Sequence, residues 1–404
     1  MLHSFSCRNF YSFADTINLN FVVNNKVPQS NGYFVAPSQT RLSKIETVIG
    51  PNAAGKTNLL KGLPFLKWLI VDSFNTLPEK LFPFKPFALW DSQNKPTEFL
   101  VEFEINGDIF KYDFILNRQR ILKEELSVKN ITKKRATTKI LFTRKWSEKS
   151  KKYIFSGNKN FNLPLNFAKV IRANASVIST AMRLNHKESR EIGQFWQKIR
   201  TNVAEAGWIG DNFFLQPTKK LFETMLFFSK NARLKKEAEK LLASFDLGFE
   251  SFKLQEETNE GVTSIRAQMI HSFGSKKLAL PIQYESSGTK QLFQILRSIL
   301  QVLAEGGVAV LDEFDVNLHP DMVLALFELF RSPEINPKNA QILFSTHSHR
   351  ILNELDKYQI LLTEKNQAGS SEVWRLDEMS GVRADDNYYT KYIAGAYGAI
   401  PQIS

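Results

Sequence analysis

Gly50-Pro51-Asn52-Ala53-Ala54-Gly55-Lys56-Thr57 is the stretch that decides the fold. It matches G-x-x-x-x-G-K-[ST]. It also stands between Ile45-Glu46-Thr47-Val48-Ile49, which reads as a buried strand, and apolar residues from Leu59 onward at helical spacing. That is the setting a phosphate-binding loop requires. Its glycines let successive backbone N–H groups curl around phosphates, and the next helix points the positive end of its dipole at them. Lys56 would neutralise the β- and γ-phosphates, and the Thr57 hydroxyl would bind Mg²⁺. Gly50, Asn52, Gly55 and Asn58 complete the candidate cradle, so the expected cofactors are ATP and Mg²⁺.

Further along, Val308-Ala309-Val310-Leu311-Asp312-Glu313 reads as an apolar strand ending in two acids. Hydrolysis of a nucleotide needs two carboxylates with separate duties. Asp312 would support the metal through its water shell, and Glu313 would polarise the attacking water. Glu285-Ser286-Ser287-Gly288-Thr289-Lys290-Gln291-Leu292 stands directly before an amphipathic helix over Leu292–Leu303. Ser286, Ser287 and Gly288 can offer hydroxyls and free N–H groups to an anion, or simply cap that helix. In Ser345-Thr346-His347-Ser348, His347 follows the strand Ile342-Leu343-Phe344 more closely than His349 does. It is the candidate to bond a γ-phosphate oxygen and report hydrolysis. Asp315-Val316-Asn317-Leu318-His319-Pro320 reads as a turn in which Asn317 and His319 could face another subunit, with Pro320 opening a helix.

Around these motifs the chain alternates strands and helices, the pattern of an α/β fold. Phe5, Cys7 and Asn9-Phe10, then Ile17–Phe21, read as a strand pair. Phe99–Ile105 and Ile109–Ile115 flank Asn106-Gly107-Asp108, a strong hairpin signal. From about Ser176 to Phe245 the spacing turns helical, with Leu221, Met225 and Phe228 on one face and Leu234, Ala238, Leu241 and Phe245 on another. Strand character returns near Val262–Ile265 and Leu278–Ile282, followed by a helix over Met322–Phe330 and short strands at Ile360–Leu362 and Val373–Leu376. The expected division is an N-terminal lobe over 1–172 with a β-rich subdomain, a modest helical insertion over 173–250, and a C-terminal lobe over 251–404.

The net charge of +12 favours a polyanionic partner, either nucleic acid or an acidic protein surface. Lys133-Lys134-Arg135, Arg144-Lys145, Lys149 and Lys151-Lys152, with Trp146 and Tyr153 between them, suit such a role; a solvated hairpin face is the plainer account of them. The single cysteine, Cys7, excludes an internal disulfide and fits a reducing cytoplasm, the expected location. No leader and no membrane span is read. Fewer than 60 residues follow His347, and no metal-ligand spacing there suggests a nuclease.

The order of phosphate loop, Ser-Gly element, Asp-Glu strand and histidine strand resembles that of the ABC ATPase superfamily, and implies a RecF/SMC-like head. In that superfamily residues 285–289 face the γ-phosphate held by a second copy, so the resemblance implies a homodimer around ATP or a larger ring. Within it the chain resembles the AbiLi/RloA group of bacterial ATPases, to which the AriA ATPase is also similar. Gly50–Asn58, Glu285–Thr289, Leu311–Pro320, Ser345–His347 and the tail from Val382 to Pro401 carry that likeness. It implies abortive-infection (antiphage) defence beside a separately encoded effector such as a TOPRIM-like nuclease; nucleic acid or an acidic phage protein is a further candidate partner. Glu-Ser-Ser-Gly-Thr departs from the transporter form Leu-Ser-Gly-Gly-Gln, which argues against transport. No glutamine of the lid type is evident, and Asn174 is the stand-in. A RecF-like repair ATPase and a slowly hydrolysing scaffold remain the alternatives.

Overall fold

The computed structural model describes residues 1–132, 135–159, 161–163, 166–203, 216–245, 248–259, 262–316 and 318–401. Its centre is a six-stranded sheet in the order Ile199–Thr201, Val308–Leu311, Gln341–Ser345, Ile45–Ile49, Ile360–Lys365, Ser371–Arg375. The first five run parallel and the last is antiparallel. Ile45–Ile49, Val308–Leu311 and Gln341–Ser345 are buried along their whole length; Val308–Leu311 is apolar throughout, whereas the other two also bury Glu46, Thr47, Gln341 and Ser345.

This sheet is the wall between two cores. Val48, Val308, Val310, Leu343 and Leu361 face one of them, together with Phe5, Phe10, Phe65, Phe84 and Phe99. Their neighbours Ile49, Ala309, Leu311, Ile342, Phe344 and Leu362 face the other, together with Phe228, Phe252 and Phe293. The alternation follows from the two-residue period of a strand.

The first core is closed by a seven-stranded antiparallel sheet, ordered Lys152–Gly157, Arg135–Ser147, Ile121–Thr132, Asp108–Leu116, Thr97–Ile105, Leu2–Arg8, Ile17–Asn20. The expected hairpin is there, with Ile105 opposite Asp108. Asn106 and Gly107 both take positive φ, 52° and 93°, as a two-residue primed turn demands. Cys7 is buried in the first strand, and burial pushes its thiol pKa up, in keeping with an inert residue.

Residues 173–250 do not form the single helical insertion expected from periodicity. Helices Val177–Arg183 and Lys187–Gln197 pack on helix Gly62–Val71, and Ile199–Thr201 joins the parallel sheet. Helices Gln216–Lys230 and Ala232–Ser244 instead pack on helix Ser287–Glu305 and on a three-stranded sheet, Phe249–Asn259, Val262–Phe273 and Lys276–Pro281. The division follows burial. Ile192, Trp196 and Ile199 belong to the first core, and Leu221, Met225, Phe228, Ala238 and Leu242 to the second.

The basic stretch is also corrected in part. Arg144 is buried and forms an ion pair with buried Glu124 at 2.8 Å, so it is a structural cation. Trp146 and Tyr153 contact each other and lie under Arg120 and Arg144 respectively, so one face of each ring is already occupied. Lys145, Lys149 and Lys152 are exposed, and Lys151 pairs with Glu148. Lys133 and Lys134 lie outside the described residues.

Candidate functional site

Strand Ile45–Ile49 delivers the chain into the loop at Gly50, where only glycine fits: a Cβ would stand 2.1 Å from the carbonyl oxygen of Thr363 on the neighbouring strand. Ala53 and Gly55 take φ values of 62° and 115°, in the region that favours glycine. Helix Lys56–Leu60 then begins at once. Lys56 is buried, and its ammonium donates to the carbonyls of Gly50 (2.7 Å) and Pro51 (3.0 Å). Burial lowers its pKa from the ordinary lysine value, against the opposing pull of Glu313, Asp312 and Asp315. Asn58 donates to the Ser12 hydroxyl at 3.0 Å and so ties the loop to the first strand pair.

Across from the loop stand the acids. Glu313 takes φ 44°, unusual for a side-chain-bearing residue, at the end of Val308–Leu311. Ser345, at the end of the adjacent strand, clasps both acids. Its hydroxyl donates to Asp312 Oδ1 at 2.6 Å and accepts from the Glu313 N–H at 2.8 Å. Asn202 holds the Asp312 backbone from the other side, donating to its carbonyl at 2.9 Å and accepting from its N–H at 2.6 Å. His347 Nε2 lies 3.4 Å from Glu313 Oε1. His349 turns instead against Tyr392, 4.9 Å between ring centroids. Asp315 accepts from the Thr346 hydroxyl at 2.7 Å and the Ser348 N–H at 3.1 Å, fixing the turn that presents His347.

The result is a cavity of about 580 Å³ lined by residues 52–58, Glu313 and His347. It brings together the loop, one of the two acids and the histidine named from the sequence, with Asp312 directly behind. Backbone N–H groups, a lysine ammonium and the start of a helix suit a polyphosphate. The Thr57 hydroxyl and the Asp312 carboxylate are hard oxygen donors, the type Mg²⁺ takes alongside water and phosphate oxygens. Among the described residues no cluster of three or more His, Cys, Asp or Glu side chains could hold a metal.

Ser286, Ser287 and Gly288 do not line this cavity within the one chain. Ser286 caps the 19-residue helix Ser287–Glu305, accepting from Thr289 N–H at 3.1 Å, so the capping role is present. Ser286 and Ser287 remain exposed, and no acid occupies the first turn to neutralise the dipole. His319 caps helix Pro320–Arg331, which Pro320 opens as expected. Asn317 lies outside the described residues. Asn174 does not reach the cavity: it is buried, and its amide donates to the carbonyls of Leu77 (2.8 Å) and Lys80 (3.1 Å). Sequence reasoning missed Asn202, Ser345 as a clasp, and Asp315. Ser345 stood within the histidine run, whereas nothing near Asn202 marked it.

A phosphate loop on a parallel sheet, faced by acids from the neighbouring elements, defines the class as a P-loop nucleotide-binding fold of the ATPase kind. The chain belongs to the family described as AAA domain, putative AbiEii toxin, Type IV TA system, whose model matches residues 47–353. No curated protein matches the sequence. Among solved structures, the chain is similar to an Smc head bound to the C-terminal winged-helix domain of ScpA, at 14% identity and TM-score 0.44, covering 93% of this chain and 98% of that one. It is similar also to an Smc head domain with an extended coiled coil bound to the C-terminal domain of ScpA, derived from Pyrococcus furiosus. There the identity is 12% and the TM-score 0.40, over 93% and 97% of the two chains. No helix among the described residues is long and apolar enough to cross a membrane.

Proposed function

We propose that this chain hydrolyses ATP in sites shared by two copies of itself, and that the cycle controls a separately encoded effector in antiphage defence. The observation that carries the reading is the convergence of the loop Asn52–Asn58, Glu313 and His347 on one polar cavity. Lys56 and the loop N–H groups bind the phosphates, with Thr57 and Asp312 toward Mg²⁺. Bound Mg²⁺ supplies charge neutralisation on the phosphate oxygens. Glu313 accepts hydrogen bonding from the attacking water, and His347 orients Glu313 or contacts the γ-phosphate. Ser286, Ser287 and Gly288 of the second copy close the site. Their exposure and the absence of an acid in the first turn leave this helix start open to an anion, which supports the reading. The defence role rests on the resemblance to AbiLi/RloA ATPases and on a family description that names a putative toxin.

The test is ATP turnover together with mass in solution, by light scattering, with and without ATP. Glu313→Gln should lower turnover about 100-fold or more and hold an ATP-bound pair. Lys56→Ala should abolish ATP binding. Equal turnover in wild type and Glu313→Gln would refute hydrolysis at this site. Co-purification of a neighbouring gene product tests the effector.

A further inference from the structure

Just ahead of Ser286 lies a contact that neither capping nor phosphate binding requires. Tyr284 is 76% exposed, and Ser286 and Ser287 are exposed, yet Glu285 between them is buried. Its Oε1 meets His271 Nε2 at 2.6 Å. His271 belongs to the middle strand of the three-stranded sheet, opposite Leu278, and is itself buried. Its ring stands edge-on to Phe249 (6.2 Å, 83°) and stacks on Phe273 (6.3 Å, 10°). The turn is therefore held on two sides. From within, Ser286 bonds Thr289 of its own helix. From outside, a buried ring packed beside two aromatics holds the residue just before Ser286.

We infer that His271 is a positioning residue for the Ser286–Gly288 turn: through Glu285 it fixes where the exposed serines stand when a second copy's ATP arrives. The inference rests on the shared-site reading above. A turn anchored by a buried hydrogen bond is pre-organised, so ordering it costs little when the copies pair. Released, the turn would have to be ordered at each closure, weakening pairing while leaving the chain's own phosphate loop untouched. The three-stranded sheet thereby gains a mechanical link to the site. Whatever shifts Val262–Phe273 shifts the serines.

The experiment uses the full chain carrying Glu313→Gln, with three measurements: a fluorescent ATP analogue for binding to the single chain, light scattering for ATP-driven pairing, and circular dichroism for folding. The same His271 variants are assayed for turnover with Glu313 intact. His271→Leu keeps apolar packing between Phe249 and Phe273 but removes the hydrogen bond, and His271→Gln restores a donor at a similar reach. The expected result for His271→Leu is analogue binding within twofold of the parent and a tenfold rise in the ATP concentration needed for pairing. With Glu313 present, the KM for ATP rises about tenfold alongside the pairing midpoint, and His271→Gln recovers most of both. Pairing by His271→Leu equal to the parent overturns the inference, as does joint loss of analogue binding and pairing, because the lesion is then not confined to the turn. Failure of the Glu313→Gln parent to pair at all overturns the shared-site reading instead.

Discussion

Replacing Arg144 by Met separates a structural cation from a nucleic-acid contact. The guanidinium pairs with Glu124 at 2.8 Å and donates to the carbonyls of Arg172 (3.1 Å) and Ala175 (2.8 Å). Glu124 also accepts from the Tyr112 hydroxyl (2.5 Å) and from the Val177 N–H (2.8 Å), so the pair ties the antiparallel sheet to the start of helix Val177–Arg183. Both partners are buried, and burial raises the Glu124 pKa even with Arg144 opposing it. Removing one member of such a pair strands the other charge, at about 3–5 kcal/mol. Without Arg144 the carboxyl is pushed up further, so the folded chain binds a proton that the unfolded one releases at lower pH. The variant's deficit should therefore shrink as pH falls from 8 to 5. Glu124→Gln with Arg144→Met should recover part of the loss. Urea denaturation of the four proteins of this cycle, at both pH values, measures it. A cost below about 1 kcal/mol at pH 8, or a deficit that grows at pH 5, would refute the reasoning.

Gly50→Ala places a methyl 2.1 Å from the Thr363 carbonyl oxygen, so stability should fall by about 1–3 kcal/mol and ATP binding should be lost, read by calorimetry and analogue fluorescence. Asn202→Ala removes two hydrogen bonds to the Asp312 backbone; about 1–3 kcal/mol should go, with turnover down at least ~10-fold while analogue binding persists. Lys67 donates to the Ile199 carbonyl at 2.7 Å, and burial first, then Arg200, lowers its pKa from 10.5 to about 8. That drop corresponds to about 3 kcal/mol against the folded state at neutral pH, so Lys67→Met should raise the melting temperature despite the lost hydrogen bond. Since the folded wild type loses this proton above pH 8 and the unfolded chain keeps it to about 10.5, the advantage should narrow between pH 7.5 and 9.5.

Those features of the fold that obey a local rule were legible in the amino acids. The loop Gly50–Thr57 and the Asn106-Gly107 turn each need particular residues for a backbone path, and such needs leave a mark within a few positions. Wholly buried apolar strands such as Val308–Leu311 show as apolar runs. What escaped notice depends on distant pairing. Ile199–Thr201 is three residues long, too short for any period, and becomes a strand only because Val308–Val310 lies beside it. Asn202 reaches Asp312 from 110 positions away. Arg144 resembles its exposed neighbours in composition, and only its partner Glu124 on the next strand reveals its burial. Helical spacing from about Ser176 to Phe245 marks helices there, but spacing does not say which core a helix joins, nor does it show the strand Ile199–Thr201 among them.

Strand Ile45–Ile49 lies between Gln341–Ser345 and Ile360–Lys365. During synthesis the ribosome therefore releases the nucleotide loop early, on a wholly buried strand whose two neighbours emerge far later. A nascent chain halted before residue 341 has a phosphate loop without its flanking supports and exposes an unpaired hydrophobic edge. Truncated products should thus be sticky and unable to hold nucleotide, and productive folding belongs to the finished polypeptide.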